Sequence, residues 1–128
     1  MLSGGDQVEL RVTPDRYVTI RYAGASGDFN PIHVDEQFAR QVGLPGTILH
    51  GLWSMAQVAR AAAAAAGDDP TALVDLSVQF RGLGRPEREI LVSGVVDTVQ
   101  DGLATLRLEA RQGDTRLIRN AVAHLRAG

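Results

Sequence analysis

Gly51-Leu52-Trp53-Ser54-Met55-Ala56-Gln57-Val58-Ala59-Arg60-Ala61-Ala62-Ala63-Ala64-Ala65-Ala66 leaves almost no polar face at helical spacing. A helix that is apolar nearly all round is covered by other elements on most sides. Alanine is the strongest helix former, and the unbroken run Ala61–Ala66 presents so little side chain that a sheet can approach closely. Gln57 and Arg60 are its polar exceptions and predict a wet edge. Gly67-Asp68-Asp69-Pro70 ends the segment, because glycine suits the left-handed residue after a helix and proline cannot continue one.

The flanking chain supplies the cover. Val74, Leu76, Val78 and Phe80 alternate with Asp75, Ser77, Gln79 and Arg81, the period of a half-buried strand. Three more strands are expected at Glu89–Val99, Ala104–Arg111 and Arg116–Arg126, with Asp101-Gly102 and Gly113-Asp114 as turn signals. Upstream, Gln7–Thr13 alternates through Val8, Leu10 and Val12. Strands joined by short turns pair antiparallel, so the pattern predicts an α+β fold in which an antiparallel sheet wraps one long central helix. At 128 residues the chain is long enough for one sizeable core and is read as a single domain, 1–128.

Two short helices are expected before the long one. Pro14 to about Gly24 would be capped by Thr13, with Pro14 at its first position, Asp15 in its acidic first turn, and Tyr17, Ile20 and Ala23 or Gly24 facing inward. Asp35–Val42 would be capped by Asp35 and stopped by Gly43, with Phe38 and Val42 as its apolar stripe.

Composition removes several function classes. Apolar residues at 45% and charged residues at 22% describe an ordinary globular chain rather than a disordered one. A net charge of -2 predicts no preference for nucleic acid. All 13 basic residues are Arg, so any bound anion would be held by guanidinium groups or backbone N–H groups. The absence of Cys excludes disulfides, thiolate catalysis and Cys-ligated metal. Met1–Asp6 lacks a signal pattern and the alanine run is too short for a bilayer, which predicts a soluble, cytoplasmic protein with no membrane partner.

The stretch Tyr22-Ala23-Gly24-Ala25-Ser26-Gly27-Asp28-Phe29-Asn30-Pro31-Ile32-His33 is too polar and turn-rich for core, yet holds an acid and an imidazole five residues apart across a proline. Asp28, Asn30 and Pro31 favour a tight turn, since Asp and Asn side chains bond the backbone two residues on and Pro31 biases Asn30 away from helix. A rigid turn would hold Asp28 and His33 in fixed relation, as acid/base chemistry requires. Turn chemistry alone also accommodates Asp28 as an Asx-turn residue and His33 as a satisfied loop histidine.

With the downstream Leu49-His50-Gly51-Leu52, this stretch resembles the signature of the MaoC-like hydratases, the (R)-specific enoyl-CoA hydratases of the hotdog fold. It is also similar to the catalytic subunits of bacterial type II fatty-acid dehydratases. The resemblance covers nearly the whole chain in element order. It implies hydration of trans-2-enoyl thioesters, or dehydration of (3R)-hydroxyacyl thioesters, with no cofactor. It matches Asp28 and His33 to the catalytic pair and Gly51 to the residue whose N–H receives the thioester oxygen. The chemistry agrees: an imidazole ordinarily titrates near neutrality and can orient water, a carboxyl group can deliver the α-proton, and a helix start offers unpaired N–H groups to enolate charge.

Further candidates for substrate binding are Asn30, His50, Trp53, Arg81, Arg85 and Arg88. His50 is read first as structural, positioning the helix start, and His124 as a surface or interface residue. Trp53 is either core or a cap on the acyl pocket. The three arginines either hold coenzyme A phosphates or an acidic carrier protein, or decorate a solvated loop; that loop lacks the proline-rich turn and Gly-Asp expected from the resemblance. Ala59 stands where some relatives carry a hydroxyl that bonds the catalytic carboxylate, so another group is expected to orient Asp28. Asp28, His33 and Asp35 match no trusted ligand spacing, and no metal is expected. Open sheet edges predict a homodimer, or a heterodimer with a related hotdog subunit. A thioesterase of the same fold and an acyl-binding subunit of a heteromeric dehydratase are the rival functions.

Overall fold

The computed structural model describes residues 1–127. The alanine-rich segment forms the long helix, and its order with the other elements is β1 (Gln7–Val12), α1 (Val18–Ser26), α2 (Pro31–Val34), α3 (Glu36–Gln41), α4 (Gly51–Ala65), a 3-10 turn at Pro70–Ala72, β2 (Leu73–Phe80), β3 (Ile90–Gln100), β4 (Leu103–Gln112) and β5 (Thr115–Arg126). Among the described residues the strands form one antiparallel sheet in the order β1-β3-β4-β5-β2. The Asp101-Gly102 turn takes left-handed φ at both residues, 54° and 76°, as a tight hairpin requires.

The small residues lie where helix and sheet meet. Val58, Ala61 and Ala62 of α4 share one core cluster with Ile90, Val92, Val96, Leu106, Ile118 and Leu125. Ala104, Ala110, Ala121 and Ala123 on β4 and β5 are fully buried in the same cluster. Each large aliphatic buried there contributes roughly 1.5–3 kcal/mol, and the alanines let that contact close.

Several local expectations are corrected. Helix α1 starts at Val18, not Pro14, because the Asp15 carboxylate accepts the Tyr17 N–H (2.8 Å) and an Arg21 Nη2 bond (2.6 Å) ahead of the first turn. Tyr17 and Ile20 are 54% and 53% exposed; Val18, Thr19 and Ala23 face inward instead. Asp35 does cap α3, accepting the Phe38 N–H at 3.1 Å, but Ala39 is its buried residue and Val42 lies outside on the surface. Gln57 is buried rather than wet: its Nε2 donates to the Trp53 carbonyl (3.3 Å) and its Oε1 accepts from Arg60 (2.7 Å). Arg60 alone of the two is exposed.

The sheet leaves one position no room. A Cβ at Gly94 would strike the Arg107 carbonyl and the Leu108 Cα across the β3–β4 pair. Gly94→Ala should therefore lower stability by about 1–3 kcal/mol, read as a lower Tm. An unchanged Tm would contradict this register.

Candidate active site

The site is assembled from the chain between α1 and α4. Helix α1 ends at Gly27, whose left-handed φ of 78° lets its N–H reach the Ala23 carbonyl at 2.8 Å. A relay of short side chains follows. Ser26 Oγ donates to the Tyr22 carbonyl (2.7 Å) and accepts the Asp28 N–H (3.2 Å), Asp28 Oδ1 accepts the Asn30 N–H (3.2 Å), and Asn30 Oδ1 accepts the Ile32 N–H (3.2 Å). That last bond caps α2, with Pro31 at its first position. The Asn-Pro step that predicts a turn thus also starts a helix of one turn, and that turn carries His33.

His33 is set by its hydrogen bonds. Nδ1 lies 2.8 Å from the Ile48 carbonyl, which can only accept, so Nδ1 carries a proton and Nε2 is the ring nitrogen left free of backbone partners. Nε2 faces Asp28 Oδ2 at 3.8 Å, and the two side chains differ sharply in exposure, 10% for His33 against 53% for Asp28. The carboxylate meets solvent while the imidazole is shielded.

The Ile48 carbonyl is held in turn. Ile48 N–H donates to the Ile32 carbonyl (3.1 Å), and Leu49 N–H to the Gly84 carbonyl (2.8 Å). Glu36 Oε2 accepts the Thr47 N–H (3.0 Å), while Arg85 Nε donates to the Thr47 carbonyl (3.1 Å). A Cβ at Gly46 would collide with both the Glu36 and Arg85 side chains, so these two close tightly over the loop. The Thr47 N–H, with help from Arg40, holds the Glu36 carboxyl below its ordinary range. Gln112, buried at the end of β4, accepts the Arg85 N–H (2.8 Å) and donates to the Arg85 (2.7 Å) and Arg88 (3.0 Å) carbonyls. Gln112 is silent in the sequence because its strand pattern alone gives no sign of what it clamps.

His50 precedes α4 in extended conformation, and its carbonyl accepts the Trp53 and Ser54 N–H groups. Its Nε2 lies 3.0 Å from the Asp28 carbonyl, and its ring stacks on His33 with centroids 3.8 Å apart. Asp28 is therefore held by its own turn through Oδ1 and by His50 through its backbone carbonyl. Gly51 opens α4, where the first N–H groups have no intrahelical acceptor and the helix dipole is positive. A Cβ there would sit 3.2 Å from the Phe80 ring, so glycine lets the ring and any ligand approach the backbone.

The remaining candidates are scattered. Trp53, half-buried, shares a groove of about 370 Å³ with Val18, Tyr22, Gln57 and Arg60 between α1 and α4. Arg81 and Arg88 are exposed, whereas Arg85 is partly buried and turned to the Thr47 carbonyl. Asp35 serves as the α3 cap. His124 binds Asp75 across the β5–β2 pair at 2.6 Å. Ligating atoms of Asp28, His33 and His50 lie within 4.8 Å of one another. The three residues offer one ligand atom each, and His33 Nδ1 and His50 Nε2 are committed to carbonyls. That leaves fewer donors than the four of a structural zinc site.

Residues 5–116 match the family model described as MaoC like domain. The chain is similar to the fatty acid synthase beta subunit hexB of Dothistroma septosporum, 35% identical over 96 residues, covering 74% of this chain and 5% of that protein. It is also similar to the enoyl-CoA hydratase ChsH3 of Mycobacterium tuberculosis, 33% identical over 88 residues, covering 68% of this chain and 30% of that protein. The chain thus spans a small fraction of the length of these curated relatives. Its fold superposes on the ChsH1-ChsH2 complex from Mycobacterium tuberculosis with a TM-score of 0.87 at 22% identity, covering 100% of both chains. That likeness concerns the fold alone, the α+β hotdog arrangement expected from the sequence.

The Glu36 contact yields a signed prediction. A carboxyl lowered in the folded state stabilises it above the ordinary glutamate range, and that contribution is lost as pH falls through the folded value. The stability gap between wild type and Glu36→Gln should therefore be constant near neutrality and shrink in acid. A gap unchanged into acid, by denaturant titration at several pH values, would contradict the Thr47 contact.

Proposed function

The chain belongs to the MaoC-like domain family, and on that premise we propose that it interconverts trans-2-enoyl and (3R)-hydroxyacyl thioesters, carried on coenzyme A or an acyl carrier protein, by acid/base catalysis. The observation that carries this reading is His33 Nε2 facing the Asp28 carboxyl group across 3.8 Å, one residue's contact away from the start of α4. That gap is too long for a direct hydrogen bond and suits a water seated beside the pair, within hydrogen-bond reach of both groups.

In the hydration direction the water oxygen bonds the β-carbon while His33 Nε2 takes its proton. The π electrons move toward the α-carbon and the thioester carbonyl, so enolate charge collects on the carbonyl oxygen. The Gly51 N–H is the proposed donor to that oxygen, and loss of a comparable donor in other enzymes costs about 10²–10³ in turnover. The proton that His33 takes from the water passes across the pair to Asp28, which delivers it to the α-carbon, so the one water supplies both the β-oxygen and the α-hydrogen. Dehydration runs the same steps backward. No electron carrier is needed, since water adds without net oxidation.

Phe29 follows Asp28, Leu52 follows Gly51, and Phe80 packs on Gly51; all three are exposed and give the site an apolar rim. We assign that rim to the acyl thioester and to a second subunit. The proposed assembly joins chains at the β2 edge, as a homodimer or with a related hotdog subunit, and Val74 and Phe80 on β2 are about half exposed. The cytoplasm is the compartment proposed for these water-borne thioesters. Among the described residues no helix is long and apolar enough to cross a membrane.

Purified protein mixed with crotonyl-CoA should remove the enoyl ultraviolet absorbance without releasing thiol. Asp28→Asn and His33→Ala should each slow that loss by about 10²–10⁴. Thiol release would instead support a thioesterase, and full activity in either variant would contradict the pair. Trp53→Ala should move the acyl chain-length profile toward longer substrates; an unchanged profile would make Trp53 core alone.

A further inference from the structure

Resting on the hydratase reading, we propose that His50 is a positioning residue, whose ring sets Asp28 and His33 relative to each other by donating a hydrogen bond to the first and stacking on the second. His50 is 3% exposed, and its two ring nitrogens have unequal surroundings. Nε2 lies 3.0 Å from the Asp28 carbonyl, so Nε2 carries the proton. The other ring nitrogen, Nδ1, is buried with no hydrogen-bond partner among the described residues. Packing alone is served better by a phenyl ring, which brings no desolvated nitrogen. What imidazole has and phenyl lacks is the N–H aimed at Asp28.

The contacts of this ring reach separate parts of the chain. Its face lies on His33 of α2 at 3.8 Å and an 18° tilt, and Tyr22 of α1 leans against it at 4.8 Å and 58°. The same residue leads into α4 and Gly51. His50 thus holds the acid by its backbone, the imidazole by its face, and the proposed oxyanion donor by the chain itself. With the Asp28 carbonyl fixed and Oδ1 taken by the Asn30 N–H, the other carboxyl oxygen is left facing His33 Nε2.

Two substitutions separate the hydrogen bond from the ring. His50→Phe keeps a ring and removes the donor; His50→Gln keeps an N–H near the Nε2 position and removes the ring. With crotonyl-CoA, His50→Phe should lower kcat about 10- to 100-fold while KM changes by less than about 3-fold, and His50→Gln should recover most of that loss. A merely structural role would scale activity with the folded fraction and leave kcat per folded molecule equal in both. Spectra of nitrogen-labelled histidine, which need no substrate, should show His50 protonated at Nε2 and His33 at Nδ1 in the wild type, with the His33 signals shifted in His50→Phe. Wild-type His50 protonated at Nδ1, undiminished kcat in His50→Phe, or equal loss in both variants would overturn the proposal. Both tautomers and the His33 shift without any hydration would overturn the hydratase reading and leave the positioning intact.

Discussion

The close approach of α4 to the sheet is the constraint on which the rest of the structure depends. It is possible because both surfaces are small at the contact, Ala61 and Ala62 on the helix, Ala104, Ala110, Ala121 and Ala123 on the strands. Larger side chains such as Ile90, Leu106 and Leu125 fill the space beside that seam. Bulk placed on the seam would lift the helix and open the core at once, because protein interiors are packed to the density of organic crystals.

The position of α4 fixes where its first turn emerges, and the site is built around that point. Three short connections are drawn to it: the Gly27–Asn30 stretch by His50, the α2 turn by the Ile48 carbonyl, and the loop at Thr47 by Glu36 and Arg85. Gln112 ties the last of these back to the sheet. The acid and the imidazole therefore hang from a rigid frame although both lie in short, irregular chain. Loops held this way can carry chemistry without losing precision.

Strand and helix periods make the sheet and α4 legible in the sequence, since strict alternation marks a two-faced strand and a long alanine run marks a covered helix. The Asp28–His33 pairing is legible because the acid, the proline and the imidazole lie within one short stretch. What the sequence hides depends on tertiary partners. Gln57 looks like a solvent residue until the Trp53 carbonyl and Arg60 are beside it. Nothing in the local sequence of Arg85 announces the bond its Nε makes to the Thr47 carbonyl. The start of α1 departs from its expected place for a local reason, the diversion of the Asp15 carboxylate to Tyr17 and Arg21. Helix α2 is concealed because its cap and proline are the same signals that announce a turn. The contact of Phe80 with Gly51 joins β2 to α4 across the fold, and no local pattern announces it.

In the chemistry proposed for Asp28 and His33, water adds across a double bond and the thioester stays whole. The most direct test of that chemistry is the reaction of crotonyl-CoA in water labelled at both oxygen and hydrogen, with the products resolved by chirality and read by mass. The expected product is (3R)-hydroxybutyryl-CoA carrying label at the β-oxygen and the α-carbon, the thioester intact. Labelled free acid with released coenzyme A, or a product of the opposite configuration, would contradict it.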